Sequence, residues 1–321
     1  MRREKKVCLR DRDLTLMFHL SDYGIITNEN VKEMYGSKYY YKNRLASLAK
    51  GEMIERQYGK VVLGTKGKKY LNDTGIGYRN TNRNESYKKR MERISDIACK
   101  FRNCTWFFRP SWECSVNTYT KRGNRFVGIA TRTHRELLEK DEDFYKREGY
   151  IVYFLYKEIT LRELRYIDKE IQRNNEHFRG LIIFTEYNHY LRKPRFVNCR
   201  FKDFYTIYYD KKCWEIIRLI KNENYMEKKL YEMYGYNLVS LCGKSFFDEY
   251  YIEKNNEKKY IYPMAFANFY IMDYLNSMKK SFMHSDQNMT VVCTDYCFED
   301  VRKYLDDRIE VRSIHCFENY E

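Results

Sequence analysis

The residue types that most often do chemistry are present in this chain, but their spacing matches none of the common catalytic or metal sites. The six histidines never form the pair flanking a hydrophobic residue that a relaxase needs for its metal. Cys293 with Cys297, and Cys99 with Cys104, could each supply two zinc ligands, but neither pair has a second pair at the spacing of a zinc site. The ten cysteines are accordingly predicted to be reduced thiols, most of them buried. We therefore predict no catalytic residue, no metal ion and no cofactor, and we do not expect an enzyme.

One short stretch carries side chains that suit the edges of bases. Asn43 and Arg44 supply an amide and a guanidinium, each able to form two hydrogen bonds to one base in a DNA groove. Lysines beside them can contact phosphates. The residues predicted to touch DNA at the start and on the outer side of this segment are Ser37, Lys38, Tyr39, Tyr40, Lys42, Asn43 and Arg44.

Three helices are expected to position these side chains. The first has Asp11 and Asp13 in its first turn, where the helix dipole favours negative charge, and runs to about Ser21. Thr27 is a good N-cap for the second helix, 28–35, and the third spans 38–50. The expected inward residues are Leu14, Met17 and Phe18 of the first helix and Tyr41, Leu45 and Leu48 of the third; Tyr39, Tyr40, Asn43 and Ser47 should face outward.

A hairpin is predicted directly behind the third helix. Strand 53–58, a two-residue turn at Gly59 and Lys60, and strand 61–63 would form it. Such a ribbon after a recognition helix is typical of a wing, and its cations can reach a phosphate. The DNA contacts predicted from the hairpin and the basic segment after it are Arg56, Lys60 and Lys66.

Two runs of sequence carry a resemblance to a known family. NRLASLAKGEMIERQYGKVVLGTKGKKYL, at 43–71, is similar to the winged-helix pattern of bacterial regulators. Together with LRDRDLTLMFHLSDYGIITNENVKEMYGS, at 9–37, it resembles the replication-relaxation family of plasmid and mobile-element proteins. The resemblance covers about residues 9–72. Arg10 stands where that pattern usually has a capping Thr or Ser.

The resemblance implies a restriction-nuclease-like fold for the rest of the chain. Such a fold holds Mg²⁺ with a carboxylate on one strand and an acidic residue and a lysine on the next. Here Ser111 stands where the aspartate is expected, and Glu113 is the only carboxylate on either candidate strand. We therefore expect a degenerate site, with a metal-dependent nuclease using Glu113, Asp141 or Asp143 as an alternative.

Charge is concentrated at the beginning of the chain. Residues 1–103 hold 24 Lys and Arg against 12 Asp and Glu, whereas the remaining residues hold 36 against 33. A concentrated positive field suits a polyanionic partner. No apolar run is long enough for a membrane span, and no signal segment follows the basic start, so a cytoplasmic location without membrane association is expected.

An α+β fold with three parts is predicted. These are a winged helix-turn-helix domain at 1–80, a linker helix at 81–103, and an α/β domain of undetermined role at 104–321, without an internal repeat. The strands predicted in the last part are 106–108, 113–116, 126–130, 151–156, 181–185, 290–294 and 311–315, and the helices are 133–147, 161–173, 265–280 and 298–305.

The functional prediction is a sequence-specific binder of double-stranded DNA in a plasmid, phage or mobile element. It would act in replication, mobilisation or their control. The alternative from another class is a transcription regulator whose α/β domain senses a ligand or partner. A homodimer and replication or conjugation proteins are considered as further partners, and no residue pattern decides between them.

Overall fold

The computed structural model describes residues 8–37, 39–80, 84–114, 125–132, 147–155, 160–174, 177–186, 201, 203–241, 248–254, 256–281 and 287–316. The described chain mixes helices with several sheets. It divides into two compact units, Met1–Lys100 and Phe101–Glu321, called unit 1 and unit 2 below.

Unit 1 combines helices with a small sheet. Its helices are α1 (Asp11–Tyr23), α2 (Asn28–Tyr35), α3 (Tyr40–Lys50), α4 (Thr65–Asp73) and α5 (Glu85–Asn103), whose last three residues belong to unit 2. Its strands are β1 (Ile25–Thr27), β2 (Ile54–Gln57) and β3 (Lys60–Leu63). They pair antiparallel in the order β1-β3-β2.

Local sequence signals explain where these helices begin and end. The Thr27 hydroxyl accepts the backbone N–H of Asn30 at 3.3 Å, as predicted for the N-cap of α2. Gly36 then ends α2 in the left-handed conformation. At the start of α1, the Asp13 carboxylate accepts the backbone N–H of Arg10 at 2.7 Å, so the missing Ser or Thr at position 10 is compensated from inside the helix.

The core of unit 1 lies between the helices and the sheet. Its buried residues include Leu16, Met17, Leu20, Ile26, Val31, Tyr35, Leu45, Leu48, Ile54, Val61, Leu63, Leu71 and Cys99. Leu45 and Leu48 are fully buried, as predicted, and Tyr41 packs half-buried against them.

The predicted apolar face of α1 was wrong in two positions. Leu14 is half-buried and Phe18 is 44% exposed. The buried face instead includes Asp13, Leu16, Met17 and Leu20, whose spacing places them on one side of the helix. A search for apolar residues misses this face because Asp13 is part of it.

The hairpin turn lies one residue earlier than predicted. Gln57 pairs with Lys60, so Tyr58 and Gly59 form the turn. Both have positive φ, 40° and 82°, which a tight two-residue hairpin turn of this twist requires. Tyr58 is consequently held at the tip, fully exposed.

The described residues of unit 2 form two five-stranded mixed sheets. The first has the order β4-β5-β6-β7-β8, with strands Phe107–Pro110, Phe126–Thr131, Gly149–Leu155, Gly180–Thr185 and Asp203–Tyr208. The second has the order β9-β10-β11-β12-β13, with strands Val239–Ser240, Tyr250–Lys254, Glu257–Met264, Asn288–Thr294 and Glu310–Ile314. Its described α-helices are α6 (Leu161–Asn174), α7 (Lys212–Leu219), α8 (Tyr225–Tyr234), α9 (Phe269–Lys280) and α10 (Phe298–Tyr304).

The two sheets repeat one topology. In each, the first three strands are antiparallel and the last two continue in parallel. A helix joins the third and fourth strands, α6 in the first sheet and α9 in the second. Those strands begin at 149 and 180 in one sheet and at 257 and 288 in the other, which is the same separation. No repeat is visible in the sequence, because the residues that fill the two cores differ.

Most of the predicted strands of unit 2 are confirmed, with one exception. Residues 111–113 form a turn, in which the Glu113 N–H donates to the Pro110 carbonyl at 2.9 Å, and the rest of the predicted strand 113–116 lies outside the described residues. The predicted helix 133–147 also lies outside them, except for its last residue. The helix predicted from 265 begins at Phe269, because the Asn268 side chain caps it.

Candidate nucleic-acid interface

Helix α3 presents a polar outer face to solvent. Ser37 helps to start the helix, since its hydroxyl accepts the backbone N–H of Tyr40 at 3.2 Å. Tyr39, at the helix start, is 73% exposed, and Lys38 lies outside the described residues. The exposed residues that follow are Lys42, Asn43, Ala46, Ser47 and Lys50. We call Tyr39, Lys42, Asn43, Ser47 and Lys50 the α3 face.

Tyr40 does not belong to the α3 face, although the sequence predicted it there. Its ring is half-buried and lies 6.0 Å from the ring of Tyr35. Its hydroxyl accepts a hydrogen bond from Arg10 Nη1 at 2.7 Å. Tyr40 therefore covers the core, and its hydrogen bond connects α3 to Arg10, the residue before α1.

Arg44 is also turned inward, in contrast to the prediction that it contacts DNA. Its Nε lies 3.0 Å from both carboxylate oxygens of Asp13, and its Nη2 lies 2.5 Å from Asp13 Oδ2. The same Nη2 donates to the Cys8 carbonyl at 2.5 Å. Both pairs of parallel N–H donors that a guanidinium can offer to one base include Nη2, so an arginine whose Nη2 is bonded in this way cannot make the predicted two-bond contact.

Asp13 of α1 is the centre of a buried network that joins this helix to α2 and α3. The Tyr35 hydroxyl of α2 donates to Asp13 Oδ1 at 2.6 Å, and Arg44 of α3 binds both oxygens. Burial alone would raise the pKa of Asp13, but the hydrogen bonds from Arg44, Tyr35 and the Arg10 backbone lower it below its ordinary value. The network fixes how α3 is presented.

The hairpin offers a different set of exposed residues from those predicted. Arg56 is exposed, as is Tyr58 at the tip, which the sequence analysis did not select. Lys60 is half-buried, and its Nζ binds Glu92 Oε2 of α5 at 2.5 Å. The cation that was predicted to contact a phosphate is therefore already paired with a carboxylate. Lys66 Nζ lies 3.9 Å from Glu52 Oε1, with 43% of its side chain exposed. Gly59 correctly predicted a hairpin turn, but the turn was placed at Gly59 and Lys60, so Tyr58 was not recognised as a tip residue.

Unit 2 does not bring the expected nuclease carboxylates together among its described residues. β5 and β6 carry no acidic residue, and Glu113 lies in the turn after β4. Asp141 and Asp143 lie outside the described residues. Within the part of the chain that is described, no three His, Cys, Asp or Glu residues are placed to hold a metal ion.

A buried ionic network in unit 2 was missed by the sequence analysis. Arg179 Nε donates to Asp203 Oδ2 at 2.8 Å, Arg132 Nη1 binds Glu223 at 3.0 Å, and Arg179 binds Glu223 as well. The Tyr150 hydroxyl also donates to Asp203. Burial would raise the pKa of Asp203, but the two arginines lower it. These residues lie far apart in sequence, so spacing could not reveal them.

This network borders a cavity of about 210 Å³. Tyr205, Asp248 and Ala265 line other parts of its wall. The two arginines in the wall are paired with Asp203 and Glu223, whereas Glu227 and Asp248 add further negative charge. The cavity is smaller than the pockets that hold drug-sized ligands.

Comparisons of the chain with family models, with curated proteins and with solved structures found no match. In the described part of the chain, every helix is too short or too polar to cross a lipid bilayer.

Proposed function

We propose that this chain binds double-stranded DNA in a sequence-specific manner and that unit 1 is the binding domain. The observation that carries the proposal is the α3 face, a row of exposed amide, hydroxyl, aromatic and cationic side chains on a helix whose opposite side carries the fully buried Leu45 and Leu48. A helix of this kind fits the major groove, where each base pair displays its own pattern of donors and acceptors.

The elements around α3 support this proposal. Two helices joined by a turn that contains Gly36 precede a β-hairpin, in the order of a winged helix-turn-helix. The resemblance to the replication-relaxation family points the same way. We extend the proposal accordingly to a protein of a plasmid, phage or mobile element that acts in replication, mobilisation or their control.

The geometry suggests separate roles for the exposed residues. Asn43 is the reader of a base edge, since its amide can bond adenine with two hydrogen bonds. Lys42, Lys50 and Arg56 contact phosphates, and Tyr58 contacts the sugar-phosphate backbone from the hairpin tip. Arg44 is a positioning residue that acts through Asp13.

Selection of bound duplexes from a random pool tests the proposal and supplies a target. On the selected duplex, Asn43→Ala is expected to lose about 1–3 kcal/mol of binding, with little loss on a scrambled duplex. Lys42→Ala should weaken binding to both duplexes and reduce the salt dependence by about one ion. Lys254→Ala, which removes an exposed cation of unit 2, is the matched control. Equal losses on both duplexes for Asn43→Ala would contradict its role.

A second candidate function is a transcription regulator whose α/β region senses a small ligand. The cavity beside Arg132 and Asp203 favours it. In this case a ligand that binds only the folded state raises the melting temperature, and the shift grows with ligand concentration. A thermal-shift screen of small metabolites against wild type and Ala265→Leu, which narrows the cavity, should give shifts in wild type alone. Shifts that persist in Ala265→Leu would place the ligand elsewhere.

A further inference from the structure

We infer that helix α6 of unit 2 is a second surface for duplex DNA phosphates. The helix carries four exposed cations, Arg162, Arg165, Lys169 and Arg173, around the exposed ring of Tyr166. We call these five residues the α6 stripe. It is a second contact for the duplex that unit 1 is proposed to bind and rests on that proposal.

The stripe follows directly from helix geometry. With 3.6 residues per turn, the five positions fall within an arc of about 100° on one side of the helix. Ile167 and Ile171 lie on the opposite side and are buried in the core of the first sheet. The buried residues fix the helix, so the cations have a defined direction.

The acidic side chains described on α6 are engaged at its flanks. Glu170 accepts a hydrogen bond from the Tyr153 hydroxyl at 3.0 Å, and burial raises its pKa. Asp168 accepts a hydrogen bond from Gln172 at 3.1 Å. Neither carboxylate belongs to the arc of the stripe, although Glu170 lies close enough to Arg173 for the arginine to oppose the rise in its pKa. Positive charge is therefore segregated on one side of this helix.

The separation of positive from negative side chains on α6 is significant because residues 104–321 as a whole are nearly neutral. Residues 104–321 hold 36 basic and 33 acidic residues. A surface built for solubility alone mixes the two signs, whereas one-signed stripes mark polyanion contacts. Arg162 also stacks on Tyr166, with 5.7 Å between the guanidinium carbon and the ring centre, which holds both side chains on the stripe.

The length of the stripe suits a nucleic-acid backbone. Arg173 lies eleven positions after Arg162, which at a rise of about 1.5 Å per residue is a length of about 16 Å along the helix. Duplex DNA carries a phosphate about every 3.4 Å along each strand, so this span passes several phosphates. The α6 stripe is expected to bind phosphates irrespective of the base sequence, whereas the α3 face recognises the sequence.

The test compares full-length variants by the salt dependence of duplex binding. One variant replaces the four stripe cations (R162Q, R165Q, K169Q, R173Q). The control removes four exposed cations elsewhere in unit 2 (K211Q, R218Q, K228Q, K254Q), with the same change in net charge. The stripe variant should reduce the slope of log affinity against log salt by about 3 to 4, and the control by less than about 1. The preference for the selected duplex should remain in both.

The possible outcomes distinguish failure of the α6 stripe from failure of the proposed DNA binding by unit 1. Equal slopes for the stripe and control variants, while wild type binds and Asn43→Ala loses sequence preference, would overturn the stripe alone. A wild-type protein that binds no duplex would overturn both. Single variants Arg162→Gln and Lys169→Gln, each expected to lower the slope by about 1, keep the test decisive if the fourfold variant does not fold. Binding of wild type to phosphatidylserine vesicles in preference to the duplex would also overturn the assignment.

Discussion

Asn43 and Arg44 are neighbours in sequence, and the structure gives them opposite surroundings. Asn43 is exposed on the α3 face, whereas Arg44 is held against the buried carboxylate of Asp13. Residue type indicated that both could read a base, which is chemically sound. Only the fold shows that a buried acid lies beside one of them. Residue chemistry could therefore be predicted from the sequence, but the partner of each residue could not.

Asp13→Asn is expected to destabilise unit 1. The substitution leaves the Arg44 guanidinium half-buried without its counter-charge, and breaking a buried pair in this way costs about 3 kcal/mol or more. Urea denaturation of wild type and variant measures the loss. Asp11→Asn, which changes an exposed acid in the same turn, is the control and should stay within about 0.5 kcal/mol.

The same carboxylate predicts how stability depends on pH. The pKa of Asp13 is lowered in the folded state, so its contribution is fully present above the unfolded pKa, near 4. It is lost as the pH falls from there through the folded pKa. Wild type should lose stability over this acid range more steeply than Asp13→Asn. Parallel pH curves for the two proteins would show that Asp13 is not stabilised by its partners.

At the scale of elements, apolar periodicity and capping signals located most elements outside residues 203–264, but they placed none within that range, where β8, α7, α8 and β9–β11 lie. The ends of α2 were predicted correctly from Thr27 and Gly36. Errors arose where a polar residue serves the core, as in α1, or where a turn required positive φ at two residues, as at Tyr58 and Gly59. In both places the decisive property is a tertiary or backbone constraint that a periodicity search does not include.

Gly59→Ala is expected to weaken the hairpin. The added methyl group would meet open space, but φ at this residue is +82°, which an alanine adopts at a cost of about 1 kcal/mol. Thermal unfolding should show a lower Tm. Gly77→Ala is the control, since its methyl group also meets open space and its φ is not positive. Equal melting temperatures for Gly59→Ala and wild type would contradict the turn geometry.

At the scale of the whole molecule, the sequence predicted a mixed α and β fold and failed to predict the repeat within unit 2. Two sheets with the same strand order can be built from different apolar residues, because a buried strand requires burial and not a particular side chain. The ionic network of Arg132, Arg179 and Asp203 arises from three separate segments, which only the folded chain assembles.

Asp203→Asn tests the importance of that network. The buried Arg132 and the half-buried Arg179 lose their shared carboxylate, so the expected loss is about 3 kcal/mol or more in unfolding free energy. Urea denaturation measures it, with exposed Asp307→Asn as the control. A loss below about 1 kcal/mol would mean that Glu223 alone satisfies both arginines.

If the α3 face lies against duplex DNA, a photoreactive side chain on this face will crosslink to the duplex. A photoreactive amino acid replaces Tyr39 on the α3 face in one protein and the fully exposed Tyr236 of unit 2 in another. Both are irradiated with the selected duplex in full-length protein. We expect a strong crosslink from position 39, which unlabelled selected duplex competes away, and little crosslinking from position 236. Crosslinking from 236 alone, or from neither position while the duplex is bound, would contradict it.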